Sequence, residues 1–397
     1  MATDKPGNIT AVLACGLLVA GTTLGLAGTD LVLPAVPSLP EALGGSLAFA
    51  QLVLAAYVAG TGIGILLFGE LGARLDKRWL LFGSLIAFAG VSAASVFAAN
   101  IKILVGLRLL QGASGAAAAV FAPGMIRALF DEKRAVRVLG FLASVESLTP
   151  ALAPIAGVGL LALFGWKGGF VMTAALAAVV ASMAFVLRGQ LPEVRSAPLT
   201  GSYAHLLRDR VYLRYALNYA FTLGALLIFV FGAPAVITRS MGGSLSHFIA
   251  MQVFGIGCFI VAANTTGRLS ERFGVERMIL FGSGLSAGGS LLMLVYALAG
   301  GDDPAALAFL FLPTNVGLGF CGPLSFFQAV LASRGDDTRG AAGILLSVLV
   351  TTAAGTTLAA PFILSGLTPL ALVSFLVGGT AFGLLLALPR RTGDANS

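Results

Sequence analysis

Runs of about twenty apolar residues recur along this chain, and they constrain it more than any other feature. Twelve emerge, near 10–34, 48–68, 79–99, 101–125, 138–164, 168–187, 212–237, 246–267, 277–299, 304–331, 340–364 and 367–388. A helix rises about 1.5 Å per residue and crosses a hydrocarbon core about 30 Å thick in about 20 residues. Hydrophobic residues are 58% of the chain and charged residues 10%. Soluble domains sit near 45–50% and 25%, so this much apolar surface needs a bilayer as its solvent. The sequence therefore predicts an all-α integral membrane protein of twelve transmembrane helices. The first run, from Ile9 to Leu33, is too long for the apolar part of a cleaved leader and is read as the first membrane helix.

The short connections set the orientation. Of the 24 Lys and Arg residues, three (Lys102, Lys167 and Arg239) fall on one side, Arg108 falls inside a helix, and the rest fall on the other side. The basic side is cytoplasmic by the positive-inside rule, and an even number of crossings puts both termini there. The longest connection, 188–211, carries Pro192, Pro198 and Gly201. It is read as a cytoplasmic linker between an N-terminal six-helix bundle, 1–187, and a C-terminal bundle with a short tail, 212–397.

Several function classes are excluded. The net charge of +7 is scattered through loops, with no basic face for nucleic acid. Cys15, Cys258 and Cys321 lie in apolar runs and read as small hydrophobes. No His pair, Cys–His set or phosphate loop is evident, so neither an enzyme nor a metal site is expected. Gly60-Thr-Gly-Ile-Gly64 falls mid-helix, where backbone donors are occupied. A non-transporting membrane sensor is a third class, but it has no need of acids inside the membrane.

Two charged stretches resemble each other at an offset of about half the chain: Gly69-Glu-Leu-Gly-Ala-Arg-Leu-Asp-Lys-Arg-Trp79 and Gly267-Arg-Leu-Ser-Glu-Arg-Phe-Gly-Val-Glu-Arg277. This is an internal repeat. Twelve helices in two halves, with a related loop after helices two and eight, resemble the major facilitator superfamily. That family's loop runs Gly-x-Leu-Ala-Asp-Arg-x-Gly-Arg-Lys. The second copy keeps Gly267, Leu269, Glu271, Arg272 and Gly274. The first keeps Gly69, Leu71, Arg74, Lys77 and Arg78, but Ala73 stands where the family has its acid. The resemblance implies a cytoplasmic gate at Gly69, Arg74, Gly267, Glu271 and Arg272, with Asp76, about one turn on, as a substitute acid.

Arg108-Leu-Leu-Gln-Gly-Ala-Ser-Gly115 resembles the fourth-helix segment of twelve-helix drug:proton antiporters. Asp30-Leu-Val-Leu-Pro-Ala-Val-Pro37 resembles the signature of the Bcr/CflA-type branch, and Ala153-Pro-Ile-Ala-Gly157 is a partial match to the exporters' antiporter motif. The resemblance implies a proton-coupled exporter of small amphiphilic or drug-like molecules, using alternating access in a bacterial inner membrane. The proton gradient would drive it without a cofactor, and the chain would act as a monomer. A specific metabolite exporter or a solute importer of the same fold is the alternative.

Once the loops are assigned, Asp30, Arg108 and Glu146 remain inside helices. Charges at bilayer depth are costly and mark pathways or proton relays, so these three are the proton-coupling candidates. Arg108 lies roughly 10 Å from the outer face, and Asp30 lies within about two turns of that level, so the two are expected to pair. The alternatives are a solvated Asp30 at the outer lip and an Arg108 held by helix-end carbonyls. Glu146 lies roughly 12 Å from the inner face with no basic residue at its level. Carrying a proton removes its charge from the apolar medium, which suits a proton or cation site; a neutral acid bonded to a neighbouring helix is the alternative. Pro150, four residues on, leaves the Glu146 carbonyl without its helical donor. The second half offers neutral groups instead: Asn218, Tyr219, Phe231, Gln252, Asn315 and Phe327. With Tyr57 and Gln111, these are the candidate substrate-cavity residues, though helix packing explains each equally well.

Overall fold

The computed structural model describes residues 8–192 and 202–390. Both chain ends and the linker residues 193–201, with Arg195, Pro198 and Gly201, lie outside the described residues. All the regular structure among the described residues is helical. The membrane helices are α1 (Asn8–Asp30), α2 (Leu47–Arg74), α3 (Lys77–Ser95), α4 (Ile101–Gly115 continued by Ala117–Leu129), α5 (Glu132–Phe164), α6 (Gly168–Leu187), α7 (Arg210–Arg239), α8 (Leu245–Phe273), α9 (Val275–Leu298), α10 (Ala306–Leu310 continued by Leu312–Ala332), α11 (Asp337–Ala359) and α12 (Leu367–Ala387). Among the described residues, eleven spans are long and apolar enough to cross a membrane. One of them, Leu152–Leu187, joins the end of α5 to α6 across the turn Gly165–Lys167, which gives twelve membrane helices among the described residues.

The two charged stretches are more helical than the sequence suggested. Gly69–Arg74 completes the last turns of α2, where Glu70 and Arg74 pair at i,i+4 spacing. The interruption is only Leu75–Asp76, and Asp76 caps α3 by accepting a hydrogen bond from the Arg78 backbone N–H at 2.9 Å. In the second copy, α8 runs to Phe273 and stops at Gly274, whose φ of 88° only glycine adopts readily.

Residue contacts divide the chain into two units. Unit 1 comprises 1–131, 145–201 and 336–342; unit 2 comprises 132–144, 202–335 and 343–397. The first turns of α5 therefore pack in unit 2, and the first turns of α11 pack in unit 1.

Each unit has its apolar core at the end of its helices away from most of the basic residues. In unit 1 the core contains Val32, Val36, Leu39, Val53, Ile101, Leu104 and Phe170. In unit 2 it contains Phe229, Val236, Met251, Met293, Phe311 and Leu370. The opposite ends are held by ion pairs. Small residues allow close backbone approach between α2 and α4, where Gly60, Gly64 and Gly112 each face the partner helix's backbone with no room for a Cβ.

Candidate functional site

Arg108 organises the membrane interior of unit 1. It is fully buried. Its Nε donates to the Val53 carbonyl at 3.2 Å, and its Nη1 donates to the Gly28 carbonyl and to Gln111 Oε1, both at 2.8 Å. The guanidinium lies 4.2 Å from the centre of the Tyr57 ring, a cation–π contact in a desolvated site. Tyr57 in turn donates its hydroxyl to the Gly25 carbonyl at 2.5 Å, and Gln111 donates to Ser92 Oγ at 2.6 Å. Tyr57 and Gln111 thus form the cradle of Arg108.

The ion pair expected between Asp30 and Arg108 is not made. Among the described residues, no carboxylate bonds the guanidinium, and its Nη2 has no partner. The reason is helix geometry. Asp30 is the last residue of α1, and the carbonyl of Gly28, half a turn earlier, takes the donor instead. Asp30 is half-buried and stays within electrostatic range of Arg108.

Glu146 is on α5 in unit 1 and half-buried, with Thr22 of α1 close by, whose hydroxyl donates to the Val19 carbonyl at 3.1 Å. No Lys, Arg or His forms an ion pair with it among the described residues. The helix continues through Pro150 and Pro154.

In unit 2, Asn218 is a packing node. It donates to Ser283 Oγ at 2.8 Å and to the Ala381 carbonyl, and accepts from Ser325 Oγ at 2.8 Å. Asn315 donates back to the Phe311 carbonyl within its own helix and lies against Gly255 of α8. Tyr219 meets Phe326 edge to face, with centroids 5.0 Å apart. Phe327 is buried, Gln252 is half-buried, and Phe231 is 59% exposed.

The gate residues need two corrections. Asp76 does not replace the acid missing at Ala73: its carboxylate is taken by Arg78, two residues on, through Nε and Nη2. That pairing holds the Asp76 carboxyl below the usual carboxylate range. The acid that bridges to another helix is Glu70, which accepts from Arg339 Nε and Nη2 on α11. Arg339 also holds Asp336 at 2.8 Å, and Asp337 pairs with Arg127 of α4 at 2.6 Å. In the second copy, Glu271 pairs with Arg137 of α5 at 2.5 Å, and Gly267 gives Arg137 its passage, since a Cβ there would meet Arg137 Cγ at 2.6 Å. Arg272 is exposed over the Phe273 ring and takes no part in that pair.

Sequence reasoning also missed Arg214, which it counted only among the basic residues of the cytoplasmic side. Arg214 belongs to α7 and is 1% exposed. It donates to Glu276 at the start of α9 and to the Leu385 and Leu388 carbonyls at the end of α12, while Tyr215 donates to Glu276 at 3.0 Å. The second half therefore does bury a charge. The spacing of Glu70/Arg74 and Asp336/Arg339 hinted at paired helix ends; nothing in the sequence marks Arg214.

These helices and buried charges define a polytopic helical membrane protein with ionisable groups at bilayer depth. The Major Facilitator Superfamily model matches residues 18–348, and the chain belongs to that superfamily. Among curated proteins, it is 28% identical over 275 residues to a chloramphenicol resistance protein of Pseudomonas aeruginosa, covering 68% of this chain and 64% of that one. It is 27% identical over 280 residues to the multidrug transporter MdfA of Edwardsiella piscicida, covering 68% and 67%. It is 26% identical over 330 residues to the multidrug resistance protein MdtL of Shewanella oneidensis, covering 81% of each. The chain thus spans about two thirds of the first relatives' length. Among solved structures, the E. coli fucose:proton symporter FucP has a TM-score of 0.72 at 15% identity, covering 96% of this chain and 98% of that one. The human organic anion transporter MFSD10 has 0.72 at 16%, covering 94% and 99%. These structural likenesses concern the fold.

Proposed function

We propose that this chain is a proton-coupled exporter of small amphiphilic or drug-like molecules in a bacterial inner membrane, with both termini cytoplasmic. It works by alternating access with two six-helix halves, 1–187 and 212–397, as a single chain and without a cofactor. The observation that carries this reading is the membrane interior of unit 1. It holds a fully buried arginine bonded only to neutral acceptors and two carboxyls, Asp30 and Glu146, that form no ion pair among the described residues. Groups so placed exchange protons at a low cost in competing interactions, and their charge state is felt by a bound molecule. The resistance proteins among the relatives support export and drug-like cargo. Asn218, Tyr219, Phe231, Gln252, Asn315 and Phe327 are the proposed neutral cargo contacts of the second half. Glu70, Arg74, Gly69, Gly267 and Glu271 are proposed to serve the cytoplasmic gate.

Expression in an efflux-deficient bacterial host tests the proposal. Resistance to a panel of toxic compounds is expected, with loss in Asp30→Asn and Glu146→Gln at equal protein abundance. Wild-type resistance in both variants would overturn the proton-coupling roles. Uptake of one solute with no resistance would overturn export.

A further inference from the structure

At the basic end of unit 1, the last turn of α6 and the first turn of α3 form a cationic and aromatic corner. Arg188 directly follows α6. Its guanidinium lies 4.0 Å from the centre of the Phe185 ring and 5.4 Å from that of Trp79. Its Nη1 donates to the Phe185 carbonyl at 2.7 Å, and among the described residues no carboxylate pairs with it. Trp79 meets Phe82 edge to face, and Phe82 lies 5.3 Å from Phe185, so the rings form a continuous ledge across α3 and α6. Trp79 is 53% exposed and Phe185 43%. Directly beside this ledge, Val186 and Leu187 begin an apolar groove of about 570 Å³ that runs back along α6 through Met183, Ser182 and Val179 to Ala178, with Leu13 of α1 as a further lining residue. From Leu187 to Ala178 the groove extends about 14 Å into the membrane at helical rise. Its hydroxyl, Ser182, is already spent on the Ala178 carbonyl.

We propose that this corner is a binding site for an anionic phospholipid of the leaflet that meets the basic ends of the helices. The headgroup phosphate sits on Arg188, the glycerol region lies against Trp79 and Phe185, and an acyl chain fills the groove between α1 and α6. Three features converge on that occupant. Arg188 is a partly desolvated cation with donors to spare, and a guanidinium matches phosphate geometry. An exposed Trp at a helix end belongs at headgroup depth. The groove is apolar and lies within membrane-spanning segments, where the available filler is hydrocarbon. The negative surface potential of the cytoplasmic leaflet favours a basic site of this kind. The site occupies the outer face of α6 and is independent of Arg108, Glu146 and the gate pairs.

Native mass spectrometry of the purified full chain with phosphatidylglycerol or phosphatidylethanolamine supplied in mixed micelles tests this. The wild type should retain one phosphatidylglycerol in preference to phosphatidylethanolamine. Arg188→Gln should lower phosphatidylglycerol retention at least five-fold and leave phosphatidylethanolamine unchanged, and Met183→Trp, which fills the groove, should do the same with Arg188 intact. Arg239→Gln, at the opposite helix ends, should have no effect. Equal retention of the two lipids by the wild type, or undiminished phosphatidylglycerol retention in Arg188→Gln, would overturn the proposal. Failure of drug export would leave this lipid measurement unaffected.

Discussion

Glu70 accepts two hydrogen bonds from Arg339, at 2.8 and 3.1 Å, and so joins the end of α2 to the beginning of α11. Arg339 has a side chain only 4% exposed and also holds Asp336, so it is a buried cation between two acids. Removing a partly buried arginine from such a network leaves acids uncompensated and costs about 3 kcal/mol. Arg339→Ala is expected to lower the unfolding midpoint by several degrees. Glu70→Gln, at the more exposed end, should cost about 1 kcal/mol or less. Thermal unfolding in detergent measures both. Adding Ala73→Asp to Glu70→Gln returns the acid to the position the family uses and should recover part of the loss.

Arg108→Lys should fail to substitute for Arg108. A lysine ammonium has no planar fork to reach the Val53 and Gly28 carbonyls and Gln111 together, and it loses the stacking on Tyr57. Transport is expected to fall at least ten-fold, with a stability loss of about 2–3 kcal/mol. Tyr57→Phe keeps the ring and removes only the bond to Gly25, so it should cost about 1 kcal/mol and retain most activity.

Gly267→Val is expected to displace Arg137 and release Glu271, because the added carbons occupy the path of the Arg137 side chain. That pair is partly exposed, so the stability loss from the pair alone should stay below about 1 kcal/mol. The readout is access to the helix crossing behind the pair: a cysteine placed at Ala143, further along α5 and packed against Phe259 and Ala263, should label faster with a polar maleimide in a Gly267→Val background.

Asp76 gives a pH prediction of definite sign. Arg78 holds its folded-state carboxyl below the ordinary value of about 4. A depressed folded pKa contributes stability above the unfolded value, and this is lost as pH falls through the folded one. Asp76→Asn keeps an N-cap acceptor but loses the charge, so its difference from wild type should shrink below about pH 4 and stay constant above about pH 5. Unfolding midpoints across that range measure the difference. Asp76→Ala removes the cap as well and should cost about 1 kcal/mol at neutral pH.

Glu276→Gln strips the carboxylate from Arg214, which is 1% exposed and has no water to turn to. A loss of about 3 kcal/mol is expected. Because Arg214 also holds the Leu385 and Leu388 carbonyls, limited proteolysis should cut the chain after α12 sooner in Arg214→Gln than in wild type.

Hydropathy alone determined the twelve crossings, because a helix in lipid must satisfy its own backbone and its length is set by the bilayer. The repeat of Gly69–Trp79 at Gly267–Arg277 determined the two-half plan. The same filter singled out Asp30, Arg108 and Glu146, since a charge in an apolar run is legible without coordinates. What each charge touches was not legible. Arg108 prefers the Gly28 carbonyl to Asp30, Glu70 bridges to Arg339, Asp76 turns back to Arg78, and Arg214 is buried although it sits beside a polar linker. Those outcomes depend on which helix ends meet, and helix ends far apart in sequence are brought together only by tertiary packing. The composition of one run cannot report the carbonyls and carboxylates of another.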